Sequence, residues 1–143
     1  MNKSLPDKYV RKAIFTAVNG ITVDGNVINC YDSRVTDESI QNYVLLSTQS
    51  NEVDKANKCE NHWESNILIE VFTRYQMTGN TGSRLLADNI LDEVRDLTNV
   101  LVLDVASGLE IISQRQSFPS DLTATSRNEI INRKFLRIEF IIN

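Results

Sequence analysis

The sequence predicts an α+β fold: an antiparallel sheet of about four to five strands carrying two packed amphipathic helices, with residues 1–143 forming a single domain. Three observations lead there. Ser65 to Tyr75 alternates, with Ile67, Ile69, Val71 and Thr73 on one face and Asn66, Glu70 and Arg74 on the other, a period of two built from β-branched residues. Leu86, Ile90, Val94 and Leu97, with Ala87 and Leu91 beside them, make one stripe at helical spacing and leave Arg84, Asp88, Asp92, Glu93 and Arg95 for water. Leu136, Ile138, Phe140 and Ile142 face one way and Arg137 and Glu139 the other, a second clear strand running to the C-terminus.

The remaining elements follow in order. Ser4 is the expected cap of a first helix, with Pro6 in its first turn, where a missing N–H is harmless. Tyr9, Val10, Ala13, Ile14, Ala17 and Val18 form its buried stripe, and Asn19-Gly20 stops it. Asp24-Gly25, set between Ile21-Thr22-Val23 and Asn26-Val27-Ile28, signals a tight hairpin. Asp32 to Asn42 reads as irregular and Tyr43 to Thr48 as a short strand. Gln49 to Asn61 reads as a long, exposed connection. Leu68 and Phe72 interrupt the polar side of the central strand, so part of its second face is expected to be covered. Thr78 to Gly82 breaks that strand, and Ser83 or Thr81 is placed to cap the second helix. Asn99 to Asp104 fits either a short edge strand or a packed linker, and Ser107-Gly108 is a turn. Leu109 to Phe118 alternates weakly and is expected at a sheet edge; Pro119 to Arg127 reads as a loop.

Composition narrows the function classes. With 41% hydrophobic and 24% charged residues the chain has the balance of a soluble globular protein. Its formal net charge is -4 and its basic residues are scattered, which disfavours tight phosphate binding by a nucleic-acid binder. The N-terminal MNKSLPDKYVRK has no apolar signal core, and no apolar run is long enough to span a bilayer. Cys30 and Cys59 make no disulfide framework and are expected as reduced thiols.

Catalytic patterns are weak. Cys59-Glu60-Asn61-His62 is a C-x-x-H holding the only histidine, yet a zinc site normally needs four ligands, and Cys30 is the only other soft one. A solvated loop is the commoner meaning. That imidazole lies in no nucleophile-elbow context. Asp88, Asp92, Glu93 and Asp96 share a polar helix face, which ordinarily means solvent. Thr78-Gly79-Asn80-Thr81-Gly82 lacks the lysine and spacing of a P-loop. The expectation is a protein that is not an enzyme and takes no cofactor or metal.

One resemblance implies a function for the chain. The helix ending in Asn19-Gly20, the Ile28 to Arg34 segment, Tyr43-Val44-Leu45-Leu46 and a variable loop come first. Ile67 to Arg74 then leads into Gly82-Ser83 and a helix rich in Ala, Asp and Ile, and the chain closes on Arg133 to Phe140. This order resembles the tail-completion or tail-terminator proteins of tailed bacteriophages. The resemblance implies a virion structural protein at the head–tail interface, assembled in the host bacterial cytoplasm. It implies a homo-oligomeric ring, typically a hexamer, that caps the tail tube and joins it to the head. The implied partners are other copies of the chain, the tail-tube protein and the head-completion or connector protein; DNA passes through the lumen without specific binding, and no membrane is involved. The long loops at 49–61 and 119–127 depart from the family pattern and leave a neck or connector ring as the near alternative. A small-molecule-binding or enzymatic α+β domain is the alternative of a different class. The residues nominated for the assembly interface are Gln49, Lys55, Lys58, Arg115, Phe118, Asp121 and Arg127.

Overall fold

The computed structural model describes residues 5–37, 39–54, 62–76, 84–126 and 128–143. Helix α1 (Asp7–Val18) is followed by β1 (Ile21–Val23), β2 (Asn26–Tyr31), β3 (Asn42–Asp54) and β4 (His62–Gln76). Helix α2 (Leu85–Leu97), a 3-10 turn (Val105–Ser107), β5 (Ile111–Ser117), β6 (Leu122–Ser126) and β7 (Glu129–Ile142) complete the chain. The strands make one seven-stranded sheet in the order β1-β2-β3-β4-β7-β5, with β6 also paired to β7.

The local signals hold where short-range chemistry decides them. Pro6 has helical φ and ψ, and the Val10 N–H donates to its carbonyl at 2.9 Å, so the proline occupies the helix start at no hydrogen-bond cost. Asn19 ends α1 and does more: its Oδ1 accepts the Cys30 N–H at 3.0 Å, stitching the helix end to β2. Asp24 and Gly25 both have positive φ, as a two-residue hairpin turn requires, and Val23 pairs with Asn26 across it. The N-cap positions are Pro6 for α1 and Arg84 for α2, neither with a side-chain cap hydrogen bond, rather than the expected Ser4 and Ser83 or Thr81, which lie outside the described residues.

β4 is central, as its pattern predicts. It pairs with β3 on one side and with β7 on the other, the latter without a break from Trp63↔Ile142 to Gln76↔Glu129. Val10, Ile14 and Val18 of α1, and Ile90 and Val94 of α2, pack with Ile67, Ile69, Val71, Leu136, Ile138, Phe140 and Ile142 in one core. Both helices therefore lie on the same face of the sheet. The 99–104 segment is a packed linker: Leu101 and Leu103 are buried, and Val100 and Val102 point to solvent.

Three expectations need correction. The sheet has seven strands rather than four to five, because both hairpin arms join it and part of one supposed loop is a strand, while part of another lengthens β3. Residues 49–54 extend β3 as far as Asp54↔His62, past an irregularity between Leu46 and Gln49. Residues 122–126 form β6, paired with 129–133. In both places the long neighbouring strand supplies ladder partners that satisfy a polar backbone, so periodicity is not needed. The sheet is also not wholly antiparallel. β2 runs parallel to β3 (Asn29↔Tyr43 to Tyr31↔Leu45), because the 32–41 segment returns the chain before it pairs.

Candidate assembly surface

Among the described residues, two open surfaces of the single chain stand out: the edge of β5 and β6, and the sheet face opposite the helices. The edge is built against β7. Its register runs Gln114↔Phe140, Arg115↔Glu139, Gln116↔Ile138 and Ser117↔Arg137, and resumes at Leu122↔Arg133. Residues 118–121 on the edge thus face only 134–136 on β7. This one-residue mismatch, placed at Pro119, splits the edge into two short strands.

The β5 strand and the break are held from inside. The last carbonyls of a helix have no partner within it, and two glutamines of β5 reach them. Gln114 Nε2 donates to the Thr98 carbonyl at 2.8 Å and also to the Asn99 carbonyl. Gln116 Nε2 donates to the Arg95 carbonyl at 3.0 Å and to Thr98 Oγ1 at 3.1 Å. Their Cα partners Phe140 and Ile138 lie on the helix side, so these side chains complete α2 rather than face water. At the break, Lys134 joins Asp121 Oδ2 at 2.8 Å to Asp88 in the first turn of α2. Burial opposes its charge, but the two carboxylates outweigh it and hold the ammonium above the ordinary lysine range. Beyond the break, Leu122, Thr123, Ala124 and Thr125 are all exposed, so neither face of β6 is covered by the described residues.

The second surface is a layer of aromatic and ionic side chains with no described helix on it. Tyr43 stacks on Phe72 with ring centroids 4.5 Å apart, and Tyr31 meets Tyr43 edge-on at 5.9 Å. Arg74 lies over the Phe72 ring and Arg133 over the Phe135 ring. Glu70, on the strand's polar face, is buried and paired with Arg133. Burial first, and then the Glu70 carboxylate, push the Tyr43 hydroxyl above its ordinary range. The expectation of a partly covered second face is met by this self-packed layer.

The nominated residues separate. Arg115, Phe118 and Asp121 lie on the edge: Arg115 is exposed and bonds Glu139 at 2.8 Å, Phe118 is exposed, and Asp121 is tied to Lys134. Gln49 is elsewhere, accepting from Arg11 at 2.8 Å and donating to the Asp7 carbonyl at 3.1 Å, so it fastens β3 to α1. Lys55, Lys58 and Arg127 lie outside the described residues, as does Cys59 of the C-x-x-H. Sequence reasoning missed Gln114, Gln116 and Lys134, whose roles depend on contacts far along the chain.

Chemically active groups are few among the described residues. No cluster of three His, Cys, Asp or Glu side chains could hold a metal ion. Cys30 is buried, and burial, with Asp32 adding to it, pushes its thiol up to about 12. A shallow groove of about 610 Å³ crosses β4, β7 and β5, lined by Glu64, Asn66, Ser113 and the paired Arg115 and Glu139 among others.

No protein-family model matches the chain, and no curated protein matches its sequence. Among solved structures, the fold is similar to that of a chain in the virion of a native gene transfer agent particle. The TM-score is 0.61 at 14% sequence identity, covering 94% of this chain and 96% of that one. At that identity the likeness is one of fold, over nearly the full length of both chains.

Proposed function

We propose that this chain is a virion structural protein, a ring-forming tail-terminator or tail-completion subunit that caps the tail tube and joins it to the head. The observation that carries the reading is the near full-length match in fold to a virion chain. It agrees with the resemblance carried by element order and by the Ile67 to Arg74 strand that leads into α2. Such a subunit works by shape: it needs a rigid core, open surfaces for its neighbours, and no reacting groups. The chain has that core, and its β5–β6 edge offers unpaired backbone groups to a neighbour. A head-to-tail contact whose rotation closes makes a ring. In this reading the protein resides in the virion, its partners are its own copies, the tail-tube protein and the head-side connector, and DNA threads the lumen unbound.

A neck or connector ring is the second reading within the class, and binding partners separate the two. Native mass spectrometry of the purified protein, alone and mixed with its tail-tube protein, is the test. A closed oligomer that binds the tube protein is the expected result. A monomer in both samples, well above micromolar concentration, would overturn the ring.

A further inference from the structure

The two helices lie side by side on one sheet face and expose opposite charge. The outer face of α1 carries exposed Lys8 and Lys12, beside a half-buried Arg11 that bonds Gln49, with Leu5 and Phe15 exposed at either end. That of α2 carries Asp92, Glu93 and Asp96, with Leu85 and Val100 exposed at either end. Lys8 and Lys12 are four residues apart, as are Asp92 and Asp96, and like charges at that spacing repel on a helix. The macrodipole adds to this. Lys8 sits in the first turn of α1, at the positive end, beside the favourably placed Asp7, and Asp96 in the last turn of α2, at the negative end, beside the favourably placed Arg95; Lys8 and Asp96 are each where their own helix disfavours them. Internal relief is slight. Arg95 lies 3.8 Å from Asp92 and 3.4 Å from Asp96, and Lys12 lies 3.2 Å from Asp104, all exposed pairs of the kind that contribute little.

We infer that neighbouring copies dock helix to helix, the basic N-terminal half of α1 on one copy against the acidic C-terminal half of α2 on the next. This rests on the ring reading and names the joint within it. The occupant is a second copy because this chain carries both halves of the match: apolar ends, opposite charges, and opposite dipole ends that reinforce them. Arrangements unfavourable within one subunit become favourable across the joint. The contact is head-to-tail, the type from which a ring closes.

Charge reversal on each side tests it. Lys8→Glu/Lys12→Glu and Asp92→Lys/Asp96→Lys should each leave the subunit folded, with melting by circular dichroism close to that of the wild type, since the dipole conflicts relieved at Lys8 and Asp96 offset the weak exposed pairs lost at Asp104 and Arg95. Each alone should be monomeric where the wild type is assembled, and mixing the two should restore the oligomer, because every joint then pairs unlike charges. Raising salt from about 0.05 to 0.5 M, which shortens the screening length severalfold, should dissociate the wild-type oligomer even if a variant folds poorly. A wild-type oligomer indifferent to salt, variants that assemble alone, or monomeric variants that mixing does not rescue would overturn this joint while leaving the ring intact. A wild-type monomer would overturn the ring and the joint together.

Discussion

β7 has two sides, and they are built differently. Toward β4 it forms an unbroken ladder from Trp63↔Ile142 to Gln76↔Glu129, with Ile138 and Phe140 set into the main core. Toward the edge it meets two short strands separated by a break at Pro119, anchored by the amides of Gln114 and Gln116 and by Lys134. One side is held by apolar packing, which is non-directional and depends on area. The other adds to its two short backbone ladders only a few directional polar contacts. The difference teaches where the molecule can change: an edge fastened by single hydrogen bonds adapts to a neighbour more cheaply than the core does.

The largest expected effect lies on the core side. Ile138 is fully buried between β4 and the helices. Ile138→Asp places a carboxylate there without a partner, at a cost of several kcal/mol by usual estimates, against a total stability of about 5–15 kcal/mol. The variant is expected to be unfolded by circular dichroism at room temperature. A soluble variant with the wild-type melting curve would place Ile138 outside the core and erase the contrast between the two sides.

The Glu70–Arg133 pair gives an intermediate case on the open sheet face. The Glu70 side chain is 6% exposed and that of Arg133 41%. Arg133→Met leaves Glu70 buried without its cation. Breaking a buried pair costs about 3–5 kcal/mol, reduced here to about 1–2 kcal/mol because Arg133 is partly solvated. Adding Glu70→Leu should recover most of that loss, because the stranded charge goes with it. Urea unfolding of the two variants measures both steps; a double variant weaker than the single would show that the loss does not come from a stranded Glu70 charge.

The same contrast explains what was legible in the sequence. The core side announces itself locally: Ile67, Ile69 and Val71 alternate, Leu136 to Ile142 alternate, and Asp24-Gly25 and Asn19-Gly20 carry the turn chemistry their backbones require. The edge side does not. Leu122 to Ser126 has no apolar periodicity and becomes a strand only because β7 offers it partners. Gln114 and Gln116 look like surface residues until α2 ends above them, and Glu70 looks solvent-facing until Arg133 covers it. The parallel pairing of β2 with β3 depends on the course of the 32–41 segment, which no local pattern encodes. Two residues nominated for the assembly interface, Gln49 and Asp121, also make internal contacts that no local pattern encodes.

The smallest effect sharpens the comparison through pH. Lys134 is 13% exposed, and its ammonium bridges Asp121 at the edge break and Asp88 on α2, so it couples edge to helix. Its pKa in the folded protein is raised above 10.5, because the two carboxylates outweigh the cost of burial. A base whose pKa is raised on folding adds stability that is complete below its unfolded pKa and disappears as pH climbs through the folded one. Lys134→Met should therefore cost about 0.5–1 kcal/mol at pH 8, a modest figure because both carboxylates are partly solvated. The difference from wild type should shrink above pH 10.5, where the wild-type lysine gives up its proton. Urea midpoints of the two proteins between pH 8 and 11.5 measure this directly. A gap that stays constant across that range would mean that the lysine stem, packed against the sheet, fastens the edge and that its charge does not.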